Sequence, residues 1–383
     1  MESTSPKYSL RDLIVYFIKL GTWGFGGPVA LVGYMHRDLV ENKKWITDDD
    51  YKEGLALSQL APGPLAAQLS IYLGYVHYKI LGATLVGIAF VLPSFLMVLV
   101  IGYTYVLYGG LPWMQAIFYG VGSAVIGIIA IGSYRLTVKS IRTDKLLWII
   151  FLVLAVTTFV TEEEILWVIL LAGIVVWFVK APPKWINSAA HGILPTILLQ
   201  LPPVTAESKL WQIAWFFTKA GAFVFGSGLA IVPFLYGGIV KEYAWLNEQQ
   251  FLDAVAVAMI TPGPVVITVG FIGYLVAGVW GAVVAALATF LPCYLFTVIP
   301  APYFKKYGKH PGIKAFVDGV TAAAIGAIAG AVLVLGKRTL TDIPTLLMAI
   351  TTAAILFKFK KLQEPFIILA AALLGISIKL IFQ

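Results

Sequence analysis

The chain has 383 residues, of which 60% are hydrophobic and 12% charged, with a mean hydropathy of +0.90 and a net charge of +8. Soluble domains carry about 25% charged residues, so this composition excludes a water-soluble globular protein and indicates a polytopic membrane protein. The single Cys293 excludes an internal disulfide and a cysteine-based metal cluster, and four scattered histidines leave little for a haem or di-metal centre, so no cofactor or metal is expected.

Residues 1–10 are polar and lack the apolar core and small-residue cleavage site of a signal peptide. The first span is therefore expected to stay in the mature protein. Residues 12–33 form an apolar segment in which glycines and Pro28 predict a helix break near Gly24–Pro28. Residues 36–53 are polar and read as a loop or interfacial helix with Trp45 as an interface anchor. Residues 54–76 are apolar but interrupted by Pro62-Gly63-Pro64, which predicts two half-helices or a re-entrant hairpin. Long spans follow at 80–108 and 113–134, then short ones at 146–160 and 165–179 around the acidic turn Glu162–Glu164. Residues 181–209 are a proline-rich linker between an N-terminal half, 1–180, and a C-terminal half, 210–383. The second half runs 210–239, a polar turn at 241–250, a broken segment at 251–276, and spans at 280–300, 312–335, 341–357 and 364–382.

The two halves repeat one another. Phe17–Pro64 matches Phe217–Pro264 at an offset of 200, with Lys19-Leu20-Gly21 against Lys219-Ala220-Gly221, Trp45 against Trp245, and Pro-Gly-Pro closing both blocks. At an offset of 199, Gly74 then matches Gly273, Gly82 matches Gly281, Leu92-Pro93 matches Leu291-Pro292, Gly120 matches Gly319 and Gly127 matches Gly326. A period this long means a duplicated module rather than a solenoid.

Basic loops orient the chain. Arg135, Lys139, Arg142 and Lys145 place one loop in the cytoplasm, and counting back through four crossings places the N-terminus inside. In the second half the basic loops are Lys305, Lys306, Lys309 and Lys314, then Lys358, Lys360 and Lys361. The first of these aligns with the uncharged residues 106–115, so equivalent loops carry opposite charge bias, although Lys337-Arg338 fits this less well. Opposite bias indicates inverted repeats, and an apolar piece at 193–201 in the linker is a candidate for the odd crossing they require. The fold class is thus all-α, with two homologous inverted halves and broken or re-entrant helices at the glycine-rich and Pro-Gly-Pro motifs.

Inverted repeats with broken helices are a recurrent plan for secondary transporters. A broken helix exposes backbone N–H groups at a new N-terminus, where the dipole is positive, and this favours an anion. The candidate substrate positions are Gly26, Gly27, Pro62, Gly63 and Pro64 with Gly226, Ser227, Pro262, Gly263 and Pro264; the competing reading is tight helix packing. Lys19 and Lys219 are matched cations about 12 Å into their helices, suited to a dianion unless they snorkel to the interface. Gln59, Gln68, Thr261 and Thr268 are candidate hydrogen-bond donors or interhelical contacts. Glu53 and Asp253 are matched acids that either carry protons or favour a helix N-terminus. No metalloprotease, phosphate-loop or nucleophile–histidine motif occurs, so an enzyme is not expected.

At these same residues the chain resembles the chromate ion transporter family. Phe25-Gly26-Gly27-Pro28 and Gln59-Leu60-Ala61-Pro62-Gly63-Pro64 are similar to its N-terminal signature. Phe225-Gly226-Ser227-Gly228 and Thr261-Pro262-Gly263-Pro264 are similar to its C-terminal one. The chain departs from the pattern at Leu31, Met259 and Cys293. The resemblance implies a multi-pass plasma-membrane protein, with halves in opposite orientation, that exports chromate in exchange for protons or another anion. Chromate, with sulfate as a competing look-alike, and the lipid bilayer are the implied partners; nucleic acid is not, and a homodimer stays open. The alternatives are transport of sulfate or another oxyanion, and an anion channel.

Overall fold

The computed structural model describes residues 8–25, 27–108, 112–161, 166–182, 208–223, 225–226, 231–304, 310–359, 362 and 364–382. The first half contains α1 (Leu10–Trp23), α2 (Gly27–Met35) continued by a π-helical turn (His36–Asn42), α3 (Asp48–Leu60), β1 (Gly63–Pro64), α4 (Leu65–Tyr108), α5 (Pro112–Ser140), α6 (Lys145–Thr161) and α7 (Leu166–Lys180). The second contains α8 (Lys209–Phe223), β2 (Phe225–Gly226), α9 (Ile231–Leu235) continued by a π-helical turn (Tyr236–Glu242), α10 (Glu248–Ile260) and a 3-10 turn (Val265–Ile267). It ends with α11 (Thr268–Val298), α12 (Pro311–Thr339), α13 (Ile343–Lys358) and α14 (Glu364–Phe382).

Each half opens with two hairpins that enter the bundle and turn back. Ser9 caps α1 in a capping box with Asp12, and Thr47 caps α3 by accepting from the Asp50 amide. Tyr8, just before α1, stacks on Trp45 at 4.8 Å and hydrogen-bonds His77 at 2.7 Å. The start of α1, the exit of the α2 hairpin and residue 77 of α4 therefore share one edge, here the first face. The breaks at 24–25 and 61–64 form the tips.

α4 is two helical arms joined by a reversal at Lys79, whose φ is 50° and ψ −139°. The arms meet where Gly74 and Gly82 face each other: a Cβ on Gly74 would stand 2.4 Å from the Gly82 carbonyl oxygen. The second arm, 80–108, has 29 residues, or about 43 Å at 1.5 Å each, enough to cross a bilayer. The counterpart in α11 reverses at Gly278, with φ 61°, and closes on the matched pair Gly273 and Gly281. Four helical stretches among the described residues are long and apolar enough to cross a membrane.

The halves run in opposite directions. Thr84, at the start of the crossing arm of α4, hydrogen-bonds Tyr294, near the end of α11, at 2.7 Å. Tyr105, near the far end of α4, bonds Asp253 in the first turns of α10. So α3 enters from the first face and α10 from the second. Two re-entrant hairpins and two crossings, rather than four crossings, precede the basic loop after α5. Parity is unchanged, so the start of α1 and that loop share the first face. Arg142 and Lys180 from the first half and Lys314 from the second all lie within electrostatic reach of Asp318 there. The linker piece 193–201, the acidic turn 162–164, and Lys305, Lys306, Lys309, Lys360 and Lys361 lie outside the described residues.

Packing is crosswise at the periphery too. α12 of the second half packs on α6 and α7 of the first, and α5 packs on α13 and α14. The matched glycines explain the close approach: a Cβ would stand 1.9 Å from the Ala371 carbonyl oxygen at Gly120 and 2.3 Å from that of Phe151 at Gly326.

Candidate functional site

The four helix breaks meet in two pairs, each Pro-Gly-Pro loop against the other half's break. Pro62 and Pro64 stop helix formation on either side of Gly63, whose φ is 140°; Gly263 has φ 94°. Gly63 and Pro64 pair in parallel with Phe225 and Gly226. Reciprocally, the Gly263 amide donates to the Gly24 carbonyl at 2.9 Å. The first half's Pro-Gly-Pro thus lies on the second half's break, and the converse. Half-helix N-termini of both repeats, at Gly27, Leu65 and Val265, directly follow these breaks, and their first N–H groups have no intrahelical acceptor.

The crossing is lined by a second matched pair. A Cβ on Gly263 would lie 2.1 Å from Ser94 Oγ, and one on Gly63 would lie 3.2 Å from Cys293 Sγ. Ser94 donates to the Gly21 carbonyl at 3.3 Å. Ser94 and Cys293 are repeat-equivalent (94 + 199 = 293) and both fully buried. They close each crossing from the long helix of the opposite repeat.

The chain matches the chromate transporter family over residues 11–177 and 211–376, one match per half. It is 69% identical over 377 residues to the "Chromate transport protein" of Cupriavidus metallidurans, covering 97% of this chain and 94% of the relative. It is 64% identical to the "Probable chromate transport protein" of Synechococcus elongatus, covering 97% and 96%. It is 30% identical to the "Chromate transport protein" of Pseudomonas aeruginosa, covering 98% and 94%. The chain belongs to the chromate transporter family. No solved structure matches it. Membership in a transporter family, together with the apolar helices, makes this a multi-pass membrane transporter and not an enzyme.

In this chromate transporter family member the residues predicted for the site fall into groups. Gln68 is buried and reaches back to its own loop, Nε2 donating to the Pro62 carbonyl at 2.7 Å; its Oε1 has no hydrogen-bond partner. Thr261 donates to the Val257 carbonyl at 2.6 Å and Thr268 to the Val265 carbonyl at 2.8 Å. A hydroxyl has one proton, so both threonines donate to their own helical segments in this state. The donors left to a ligand are mainly backbone amides. Gln59 is exposed. Gly26 and Ser227 lie outside the described residues, and of Gly226 only the backbone is described.

The matched lysines stand in different surroundings. Lys19 is exposed and lines an open groove beside Gly24 and Phe25. Lys219 is half-buried, its Nζ 5.8 Å from the Trp215 ring centroid. The matched acids differ as well. Asp253 is 3% exposed, its carboxylate accepting from Tyr105 at 2.7 Å and from Gln249 at 2.8 Å. Glu53 is half-buried and interacts with Tyr72.

Sequence reading missed Ser94 and Tyr105 as neighbours of the site. The recurrence of Leu-Pro before Ser94 and Cys293 carried a signal for the first. Tyr105 carried none, because its contact with Asp253 spans 148 residues.

Proposed function

We propose that this protein is a secondary transporter that exports chromate across the plasma membrane. The dianion is held where the two repeats cross, on half-helix N-termini at Gly27, Leu65 and Val265, with Lys19 and Lys219 contributing long-range attraction. The single observation that carries this reading is the reciprocal pairing of each Pro-Gly-Pro loop with the other half's break. A site shared by inverted halves is exposed to alternate faces when one half rocks against the other. The relatives' names support chromate as the substrate. Sulfate has the same charge and tetrahedral shape, so backbone donors discriminate it poorly and it competes.

Export needs no strong coupling. A negative-inside potential favours outward movement by about 2.3 kcal/mol per charge per 100 mV, hence roughly 4.6 kcal/mol for a dianion, or about a thousandfold gradient. Where protons are exchanged, Asp253 is the better placed of the two acids: it is the more buried, and Gln249 links it to a cavity of about 350 Å³ lined by Glu248 and Thr345.

The test is chromate flux in proteoliposomes under an imposed potential. The expected result is saturable, sulfate-inhibited, voltage-driven flux with counterflow, strongly reduced in Gly63→Val and Gly263→Val. Flux without counterflow or saturation would indicate a channel. No chromate flux in folded, reconstituted protein would remove the substrate assignment.

A further inference from the structure

The groove beside the first break is built unlike its counterpart in the second half. It lies between α1 and the returning α2 hairpin, with a volume of about 570 Å³. That is room for an oxyanion with its hydration shell, a water's share of liquid volume being about 30 Å³. It runs from Lys43, near the first face, to Gly24 and Phe25 at the crossing, and three cations line it: Lys19, Arg37 and Lys43.

One carboxylate, Asp38, lies among them. It pairs with Arg37 Nε at 3.0 Å and accepts from the Tyr16 hydroxyl at 3.4 Å. Neither Lys19 nor Lys43 has an ion-pair partner among the described residues. Lys43 Nζ instead lies 4.1 Å from the Trp45 ring centroid and 5.8 Å from that of Tyr16. Aromatic faces hold an ammonium without neutralising it. Among the lining residues three cations stand against one carboxylate, an excess of two positive charges that suits a tetrahedral dianion; Asp12, outside the lining, lies within electrostatic reach of Lys43.

The second half keeps the lysine, as Lys219, and replaces the groove's other polar residues. At the offset of 200, Tyr16 becomes Phe216, Arg37 becomes Gly237, Asp38 becomes Gly238 and Lys43 becomes Tyr243. Phe216 stacks on Phe234 at 5.1 Å and meets Tyr243 edge-on at 5.7 Å. It lies so close to Gly238 that a Cβ there would be 2.0 Å from the ring. One break therefore opens into a cationic groove, and the equivalent position behind the other is packed with aromatic rings.

We propose that this groove is an outer binding site for a tetrahedral dianion on the first face, occupied before the ion reaches the central crossing. The proposal rests on the transport reading above and assigns Arg37 and Lys43 a role in capture from one side only. The charge arrangement would equally attract the phosphate of an anionic lipid headgroup, so the test separates the two sources.

The experiment compares parent and Arg37→Gln/Lys43→Gln in proteoliposomes, with chromate presented to one face at a time and protein orientation determined. The expected result is a half-saturating chromate concentration raised roughly tenfold or more from the first face. The value from the second face and the maximum flux should stay within about twofold of the parent, and Lys43→Arg should restore the half-saturation. Equal effects from both faces, or none, would overturn the proposal. So would a phenotype that appears only with anionic lipid in the vesicles and vanishes in neutral lipid, which would assign the groove to headgroups. Calorimetric titration of delipidated protein with sodium chromate keeps the groove testable if the parent shows no flux. Binding that the double variant loses would support it, and absence of binding in the parent would overturn it along with the transport reading.

Discussion

The two halves share a backbone plan and differ in what their side chains do with it. Each has a break, a Pro-Gly-Pro loop, a π-helical turn, a helix reversal and a glycine-lined crossing at matched positions. Around this plan the first half carries the cationic groove, Ser94 and a half-buried Glu53. The second carries an aromatic packing, Cys293 and the buried Asp253. Duplication preserves features that backbone geometry enforces, and side chains not needed for that geometry are free to diverge. Access to the crossing can therefore be asymmetric although the crossing itself is nearly two-fold.

The shared part of the plan is broken most severely at the crossing. Gly263→Val places a side chain at φ 94°, with its Cβ 2.1 Å from Ser94 Oγ. Left-handed backbone costs about 1–2 kcal/mol and overpacking about 1–3, so a loss of roughly 2–5 kcal/mol is expected, read as a lowered Tm in detergent. Adding Ser94→Gly should recover only the steric part. Full recovery would show that the backbone conformation at 263 matters little.

The acids sharpen the contrast next. Tyr105→Phe leaves the buried Asp253 carboxylate with one fewer donor and should cost about 1–3 kcal/mol. Tyr72→Phe beside the half-buried Glu53 should cost clearly less. Equal losses would mean that burial does not distinguish the two sites.

At the helix reversals the first half holds Lys79 in a region of φ and ψ that is essentially glycine's, where the second half has Gly278. Lys79→Gly should stabilise by about 1 kcal/mol, and Gly278→Lys should destabilise by a similar amount or more. A lower Tm for Lys79→Gly would show that the lysine side chain offsets the strain, through its carbonyl bond to Val76 or its contact with the Tyr75 ring.

The smallest effect concerns the helix caps on the two faces. Asp144 caps α6 through the Leu146 and Leu147 amides, and Lys180 beside it holds its carboxyl below the usual carboxylate range. A depressed pKa contributes stability above the unfolded value and loses it as pH falls through the folded one. Asp144→Asn should therefore flatten the acid limb of the Tm–pH profile below about pH 4, by no more than about 1 kcal/mol for so exposed a pair. Asp342, the matching cap of α13, accepts from the Tyr119 hydroxyl, and Lys379 acts on it only through space. Its asparagine variant should keep more of the cap.

Much of the frame was legible in the sequence because it depends on local chemistry. Proline and glycine break helices wherever they sit, so the breaks at 24–28 and 61–64 and their copies could be placed from residue type alone. The duplication needed only the match between Phe17–Pro64 and Phe217–Pro264, and the inverted arrangement was indicated by the sign of most loop charges, with Lys337-Arg338 fitting it less well. Tertiary structure decided what those features do together. The loops cross between halves, α5 and α12 exchange partners, Lys19 and Lys219 stand in unlike surroundings, and Tyr105 reaches Asp253 across 148 residues. None of this follows from propensity or period, because contacts between distant segments are selected by how two inverted copies pack and not by either copy alone.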